Sequence, residues 1–251
     1  MRLDNYLLEL KKFDSRTKAK QAILRGEILV NNIVIDKPSY DIPDGEIMDI
    51  KRVFKDDFVS LGGFKLDKAL KDFNYSVENL TVCDIGSSTG GFTDCLLQNG
   101  AKKVYAVDVN DNLLHHKIKG DKRVKFILKN AKYLSREDIG ENLDLVTIDL
   151  SFISSTMIFP VLSNLIEDEK DVILLIKPQF ENNKKISFKN GIIKDGKIRK
   201  EACKNVIEKA KEYNLFPQNF TVAPINDDKN IEYLILLKKN KIKEFNLEEY
   251  F

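Results

Sequence analysis

The sequence predicts an α/β protein with a mostly parallel sheet covered by helices on both faces, preceded by a small α+β module. From residue 80 onward, short apolar runs alternate with segments of helical periodicity, and this alternation is typical of a parallel sheet. Several apolar runs end in a charged residue, as expected where a site lies along the carboxyl edge of such a sheet. Residues 1–50 instead show two short helical stripes followed by short extended runs.

The changes in pattern also give the predicted domain boundaries. We expect the α+β module at residues 1–50, a charged linker at 51–60, the α/β domain at 61–240 and a charged C-terminal tail at 241–251. Within the α/β domain, the same patterns predict seven strands and four main helices. The strands are expected at 81–85, 103–109, 124–128, 143–149, 171–176, 219–223 and 231–238, and the helices at 63–73, 90–99, 155–166 and 197–213.

Composition narrows the class of protein. The 251 residues are 43% hydrophobic and 32% charged, which is typical of a globular protein, and the net charge of +2 gives no argument for a nucleic-acid partner. No apolar run approaches the roughly 18 residues of a membrane span, and the N-terminus lacks the apolar core of a signal peptide. Three cysteines without metal-ligand spacing and two adjacent histidines, His115 and His116, predict a cytoplasmic protein without a metal site.

Residues 84–93 read Asp-Ile-Gly-Ser-Ser-Thr-Gly-Gly-Phe-Thr and follow a short apolar run. This is the pattern of a strand, a glycine-rich turn and a helix N-terminus, which binds nucleotide-like cofactors through backbone N–H groups. Ser88 replaces the second glycine of a dinucleotide fingerprint, so S-adenosylmethionine fits better than a nicotinamide dinucleotide. Asp108 follows Gly86 by 22 residues and is expected to accept hydrogen bonds from ribose hydroxyls; a solvated loop acid is the alternative.

Two further predicted strands end in a charged residue, Asp149 and Lys177. Lys177 emerges from an apolar strand, and burial disfavours the ammonium form, which would make Lys177 a general base. A lysine that only extends from the rim into solvent is the alternative. Asp149 could orient a substrate, face a sulfonium charge or cap the following helix. If the last strand is antiparallel, Glu232 at its start reaches the same edge.

Residues 11–25 contain six basic residues and one acid. We expect a basic helix that contacts phosphates, with a solvated helix face as the alternative. The N-terminal module resembles the S4-type RNA-binding domain at Arg2-Leu3-Asp4, Ser15-Arg16, Lys18-Ala19, Ile23, Gly26, Val30-Asn31 and Lys37-Pro38. The resemblance implies RNA binding, with candidate contacts at Arg2, Lys11, Lys12, Arg16, Lys18, Lys20 and Arg25.

Five ordered blocks in the rest of the chain resemble the TlyA group, which joins an S4-type domain to an FtsJ-like methyltransferase domain. They are residues 60–66, 84–93, 149–154, 177–181 and 230–233, which read SLGGFKL, DIGSSTGGFT, DLSFIS, KPQFE and NIEY. The resemblance implies a seven-stranded, Rossmann-like class I methyltransferase sheet. It also implies an S-adenosylmethionine-dependent 2′-O-methyltransferase that acts on ribosomal RNA or ribosomal subunits, on cytidine in well-studied relatives.

The same resemblance implies a catalytic tetrad of Lys65, Asp149, Lys177 and Glu232, with Lys177 as the base. Periodicity alone gives Lys65 no role. The cofactor contacts are expected at Asp84, Gly86, Ser87, Ser88, Thr89, Gly90, Gly91, Phe92, Asp108, Val109, Asn130, Ala131 and Asp149. The chain departs from the group's usual pattern at residues 110–113 and 182–183, which bear on the adenine side of the pocket and on loop shape.

Two other functions remain open. The TlyA group is often labelled haemolysin-like, so a membrane-active protein is one alternative, although no segment has the pattern of a membrane-spanning helix. The second alternative is an RNA-binding ribosome assembly factor without catalysis. The intact tetrad argues against this second alternative.

Overall fold

The computed structural model divides the chain into two compact units, Met1–Asp57 and Phe58–Phe251. The division lies inside the predicted linker at 51–60, of which residues 53–57 are outside the described part of the chain. The structure describes residues 1–13, 15–24, 28–31, 33–35, 37–43, 45–46, 48–52, 58–181, 191–224 and 230–251. Each unit is considered by itself below.

Within its described residues, the N-terminal unit contains two helices and a small antiparallel sheet, in the order predicted. The helices are α1 (Leu3–Glu9) and α2 (Arg16–Leu24), and the strands are β1 (Ile28–Val30), β2 (Ile33–Ile35) and β3 (Ile50–Arg52), with β1 in the centre. Leu3, Leu7 and Ile23 are fully buried against the sheet residue Ile28. The helical stripes read from the sequence are therefore the buried faces of α1 and α2.

The second unit is built on a seven-stranded sheet in the order β6-β5-β4-β7-β8-β10-β9. The strands are β4 (Thr81–Ile85), β5 (Lys103–Asp108), β6 (Val124–Leu128), β7 (Leu145–Ile148), β8 (Asp171–Ile176), β9 (Leu215–Val222) and β10 (Tyr233–Lys239). The pairs among β4 to β8 are parallel, and β10 is antiparallel to both of its neighbours. Tyr233 lies opposite Ile176, so Glu232 reaches the edge where Lys177 emerges.

The strand predicted at 219–223 begins earlier, at Leu215, and therefore includes Pro217. The predicted start is therefore wrong by four residues. A proline cannot donate to a strand ladder and is found mainly on edge strands. β9 is an edge strand, and its pairing with β10 shifts between Leu236 and Leu237, next to Pro217.

Helices flank the sheet on both faces. Those in the described part of this unit are α3 (Leu61–Asp72), α4 (Gly91–Gln98), α5 (His116–Lys119), α6 (Arg136–Ile139), α7 (Phe159–Leu165), α8 (Pro178–Glu181) and α9 (Gly196–Lys211). The helix predicted at 155–166 is divided into a 3-10 turn, Ser155–Ile158, followed by α7. Pro160 lies in the first turn of α7, where its missing N–H group costs no helical hydrogen bond.

Strand β8 shows why its apolar run is continuous. Val172 and Leu174 are buried in the core on one face of the sheet, and Ile173 and Leu175 are buried in the core on the other. Because helices cover both faces of the sheet, neither face of β8 needs the alternating polar side chains of a strand with one solvent-exposed face. Lys177 is therefore the first polar side chain after a strand that is buried on both faces.

Candidate active site

The glycine-rich turn approaches the residue that follows β7 very closely. Gly86 has φ +83°, and a Cβ there would lie 2.3 Å from the backbone oxygen of Asp149. A side chain at this position would therefore meet both an unfavourable backbone conformation and a backbone atom. The glycine lets the turn after β4 and the segment after β7 share one edge of the site.

A second close approach brings two helix starts together. A Cβ on Gly91, the first residue of α4, would lie 2.2 Å from Ser60 Oγ and 2.9 Å from the backbone nitrogen of Gly63. The start of α3 therefore rests directly on the start of α4. Lys65 follows in α3, and this packing places it on the same cleft as the turn. The cleft is lined by Ser60, Gly62, Lys65, Gly86, Ser87, Ser88, Thr89, Gly91, Phe92 and Asp149.

Lys177 is held by two residues of the loop after β7. Its Nζ lies 2.5 Å from Asp149 Oδ1 and donates a hydrogen bond of 2.8 Å to Ser151 Oγ. Lys177 is only 8% exposed, so the predicted burial is confirmed. A buried charge is costly unless an opposite charge accompanies it, and Asp149 supplies that charge here.

Lys65 and Glu232 form a second ion pair. Lys65 Nζ lies 2.5 Å from Glu232 Oε2, and Gln179 Nε2 donates a hydrogen bond of 3.3 Å to Glu232 Oε1. Since Lys65 lines the same cleft as Asp149, the two ion pairs lie on one continuous rim. All four residues of the predicted tetrad are thus brought together. Periodicity missed Lys65 because its place depends on glycine contacts between two helices.

The position of Asp84 is not the predicted one, at the end of a strand and in contact with the cofactor. It lies within β4, is fully buried, and accepts hydrogen bonds from Thr93 Oγ1 (2.6 Å) and Thr147 Oγ1 (2.9 Å). Burial raises the pKa of Asp84 to about 6, although the two hydroxyl hydrogen bonds act in the opposite direction. Asp84 therefore ties β4 to α4 and β7 beneath the turn.

The other predicted cofactor residues lie around the open side of the turn. Asp108 ends β5, and its carboxylate accepts hydrogen bonds from the backbone N–H groups of Ser88 (2.9 Å) and Asn110 (3.2 Å). The next residue, Val109, is 67% exposed. Asn130 caps the 3-10 helix Ala131–Tyr133 through a hydrogen bond of 3.0 Å from Lys132 N.

Ser87 provides an independent indication of a ligand. The residue is 4% exposed, and its hydroxyl has no hydrogen-bond partner within the described part of the chain. Buried polar atoms without a partner are rare in folded proteins. In addition, no side chain among the described residues caps α4, whose N-terminal N–H groups point toward the same turn. A polar ligand in the cleft would satisfy these donors.

Two residues near the tetrad were not predicted to matter. Phe152 is 87% exposed, has φ +69°, and its ring centroid lies 5.4 Å from that of Phe180. Glu181 is buried and accepts hydrogen bonds from Ser154 Oγ (2.5 Å) and Ser155 N (2.8 Å). The loop after β7 is therefore fastened to α8 at several points. Sequence pattern gives no sign of these contacts, because they depend on tertiary structure.

In the N-terminal unit, one acid organises two of the predicted RNA contacts. Asp4 is 1% exposed and accepts hydrogen bonds from Arg2 Nε (3.0 Å), Arg2 Nη2 (2.9 Å) and Arg16 Nε (3.1 Å). The hydrogen bonds from Arg2, together with those from Arg16, lower the pKa of Asp4 to about 2. Both arginine side chains remain about half exposed at the surface.

The prediction of one basic helix over 11–25 is wrong in extent. Lys11, with φ +52°, lies in the turn that ends α1, and α2 begins only at Arg16. The side chains of Lys11, Lys12 and Lys20 are exposed. The side chain of Lys18 and the whole of Arg25 lie outside what the structure describes.

Two further kinds of feature are absent from the described part of the chain. No helix there has both the length and the hydropathy to cross a membrane. No group of three or more His, Cys, Asp and Glu side chains is placed there to hold a metal ion.

The chain matches two protein families and several curated relatives. The FtsJ-like methyltransferase family matches residues 58–239, and the S4 domain family matches residues 1–47. Hemolysin A of Brachyspira hyodysenteriae is 41% identical over 237 residues, covering 93% of this chain and 98% of that protein. The 16S/23S rRNA (cytidine-2′-O)-methyltransferase TlyA of Mycobacterium tuberculosis is 32% identical over 226 residues, covering 89% of this chain and 84% of that protein.

Solved structures agree with these matches. A hemolysin-named protein from Streptococcus thermophilus has a TM-score of 0.73 at 38% identity, covering 96% of this chain and 89% of that chain. An S-adenosylmethionine-dependent methyltransferase from Mesorhizobium loti has a TM-score of 0.51 at 11% identity, covering 72% of this chain and all of that one, a likeness of fold alone. Because both domains match along most of its length, the chain belongs to the TlyA family, in which an S4 domain precedes an FtsJ-like methyltransferase domain.

Proposed function

We propose that the protein transfers a methyl group from S-adenosylmethionine to a ribose 2′-hydroxyl of ribosomal RNA, on a cytidine. The observation that carries this proposal is the rim formed by two ion pairs, Lys177–Asp149 and Lys65–Glu232, beside the glycine-rich cleft. The methyltransferase family and the named activity of the M. tuberculosis relative support the substrate class.

The cleft fits S-adenosylmethionine on several counts. The unpartnered hydroxyl of Ser87 and the uncapped start of α4, both judged within the described residues, offer donors to a carboxylate, and Asp108 offers acceptors to ribose hydroxyls. Gly86 and Gly91 leave no side chain in a tightly packed turn. When bound, the cofactor supplies a methyl group that its sulfonium makes electrophilic.

In this proposal Lys177 is the base that removes the proton of the ribose 2′-hydroxyl. Asp149 and Ser151 hold Lys177 Nζ in a fixed position, which is what an in-line displacement at the methyl carbon requires of its base. In this role, Nζ accepts the proton from the attacking oxygen as the bond from that oxygen to the methyl carbon forms. Lys65 and Glu232 form the second ion pair of the rim, 2.5 Å apart, and we assign them to positioning the substrate.

Phe152 adds an aromatic surface beside this position. Its exposed ring stands next to Ser151 and against Phe180, where an unstacked nucleobase could rest. The N-terminal unit supplies exposed basic side chains for RNA phosphates, including Arg2 and Arg16. Together these features favour a structured RNA over a small molecule as the methyl acceptor.

The direct test is transfer of tritiated methyl groups to ribosomal RNA and ribosomal subunits that lack the modification. We expect incorporation at mapped ribose 2′-positions by the wild-type protein and none by Lys177→Ala. Hemolysin A among the relatives makes membrane activity the second candidate. Release of dye from liposomes by wild-type protein and Lys177→Ala alike, without methyl transfer, would favour that second candidate and contradict our proposal.

A further inference from the structure

A separate cleft lies between the 3-10 helix Ala131–Tyr133, the start of α6 and one side of α7. Its volume is about 440 Å³, which is within the size range of small-ligand sites. Pro160 and Val161 form an apolar side, and Lys132, Tyr133 and Arg136 form the side facing them. None of these residues belongs to the tetrad or to the predicted cofactor contacts.

One end of the cleft, at the 3-10 helix, lies at the same edge of the sheet as the tetrad. Its 3-10 helix follows β6 directly after Asn130. That helix contacts the second 3-10 turn, Ser155–Ile158, which continues the loop carrying Asp149 and Phe152. An RNA strand that places a ribose at Lys177 therefore has this cleft within its reach along the carboxyl edge.

Tyr133 is the feature that indicates a ligand with an aromatic face. Its side chain is 72% exposed, whereas the adjacent Leu134 is 5% exposed. Exposure of a large aromatic ring to water is energetically unfavourable, and the ring offers a flat surface on which a ligand can stack. Phe152 and Met157, on the neighbouring segment, are also exposed, at 87% and 50%.

The cleft carries two cationic side chains, Lys132 and Arg136, and one acid, Glu137, and Arg136 Nη1 also lies 3.9 Å from Glu167 Oε1. Lys132 has no acidic partner within the described residues, so its ammonium can meet a phosphate. Arg136 is held in place, because its Nε donates a hydrogen bond of 2.6 Å to the backbone oxygen of Asn164. Asn164 also lines the cleft; its Nδ2 donates a long hydrogen bond of 3.4 Å to Pro160 O, and its Oδ1 can accept from the edge of a base.

We infer that this cleft binds an unpaired base of the substrate RNA, stacked on Tyr133, with its phosphate at Lys132. This inference rests on the proposed function for the identity of the ligand. It adds a second RNA-binding site within the catalytic unit, separate from the basic residues of the N-terminal unit. Because the tetrad holds the target ribose, the base in this cleft belongs to a different nucleotide of the same RNA.

The absence of tryptophan from the chain allows a direct test. Tyr133→Trp introduces a single fluorophore into the cleft, and Tyr250→Trp, near the opposite edge of the sheet, is its matched control. We expect a short single-stranded cytidine-rich RNA to quench the Trp fluorescence of the Tyr133 variant. The same RNA annealed to its complement should quench it much more weakly, and neither should affect the control.

Affinity measurements complete the test. Tyr133→Ala should weaken binding of ribosomal RNA about tenfold, as expected for the removal of one base–aromatic stack, while S-adenosylhomocysteine binding stays unchanged. Absence of quenching, equal quenching by duplex RNA, or quenching by S-adenosylhomocysteine alone would overturn the inference. If the wild-type protein fails to methylate RNA while Tyr133→Trp is still quenched, the proposed function fails and the RNA-binding cleft stands.

Discussion

Replacement of Gly86 by alanine tests the contact on which the geometry of the site depends. Gly86 and Gly140 have nearly the same positive φ, +83° and +79°. A Cβ on Gly140 would meet nothing within 4 Å, whereas a Cβ on Gly86 would lie 2.3 Å from the backbone oxygen of Asp149. Gly140→Ala is therefore a matched control that carries the backbone cost without the steric clash.

The magnitudes follow from these distances. The left-handed conformation costs an alanine about 1–2 kcal/mol, by which the free energy of unfolding should fall in both variants. In Gly86→Ala the backbone at Asp149 must also move by about 1 Å to restore ordinary contact, and a displacement of that size can cost about 100-fold in rate. Asp149 holds Lys177 at 2.5 Å, so this movement disturbs the proposed base directly.

Urea unfolding and methyl-transfer kinetics of both variants provide the assay. We expect Gly140→Ala to keep nearly wild-type turnover at reduced stability, and Gly86→Ala to lose turnover far beyond its loss of stability. S-adenosylhomocysteine affinity, measured by calorimetry, should fall in Gly86→Ala only. Equal turnover in the two variants would refute the role assigned to the close approach of Gly86 to Asp149.

Three further predictions follow from the same structure. Lys177→Ala should abolish methyl transfer while S-adenosylhomocysteine still binds. Its control is Lys170→Ala, which removes an ion pair with Asp144 at the other end of β8 and should stay active. Near-normal turnover of Lys177→Ala would rule out the role of Lys177 as base. Replacing Arg16 and Lys20 by alanine should flatten the salt dependence of RNA binding by about 0.7–0.9 in log–log slope for each phosphate that is no longer neutralised; an unchanged slope would exclude both side chains as phosphate ligands. Because the pKa of Asp84 is raised to about 6, the free energy of unfolding of the wild-type protein should fall relative to that of Asp84→Asn as pH rises from 4 to 7, by about 2 kcal/mol; parallel stability curves for the two proteins would contradict this.

Sequence pattern was sufficient for those parts of the site that depend on strand ends. Asp149, Lys177 and Glu232 lie at one edge because parallel strands and one antiparallel strand bring them there. The glycine-rich turn could be recognised because its backbone geometry is encoded locally, in Gly86 and Gly90. These features need only the order and direction of the strands.

Other features could not be read from local pattern. Lys65 reaches the site through the close packing of glycines in α3 and α4, which periodicity does not contain. Asp84 follows an apolar run, as a residue at the edge of the site would. In the structure it is buried, and its carboxylate accepts hydrogen bonds from the hydroxyl groups of Thr93 in α4 and Thr147 in β7. The pairing of each lysine with a particular acid depends on side-chain distances of a few ångströms, which only the folded chain defines.

Analysis of the methylated nucleoside tests the central claim most directly. Ribosomal RNA that lacks the modification would be incubated with S-adenosylmethionine and the protein, digested, and its nucleosides separated by mass spectrometry. Our account predicts 2′-O-methylcytidine with wild-type protein, none with Lys177→Ala, and none when the target cytidine carries a 2′-deoxyribose. A methyl group on the base, or transfer that persists on the 2′-deoxy substrate, would contradict it.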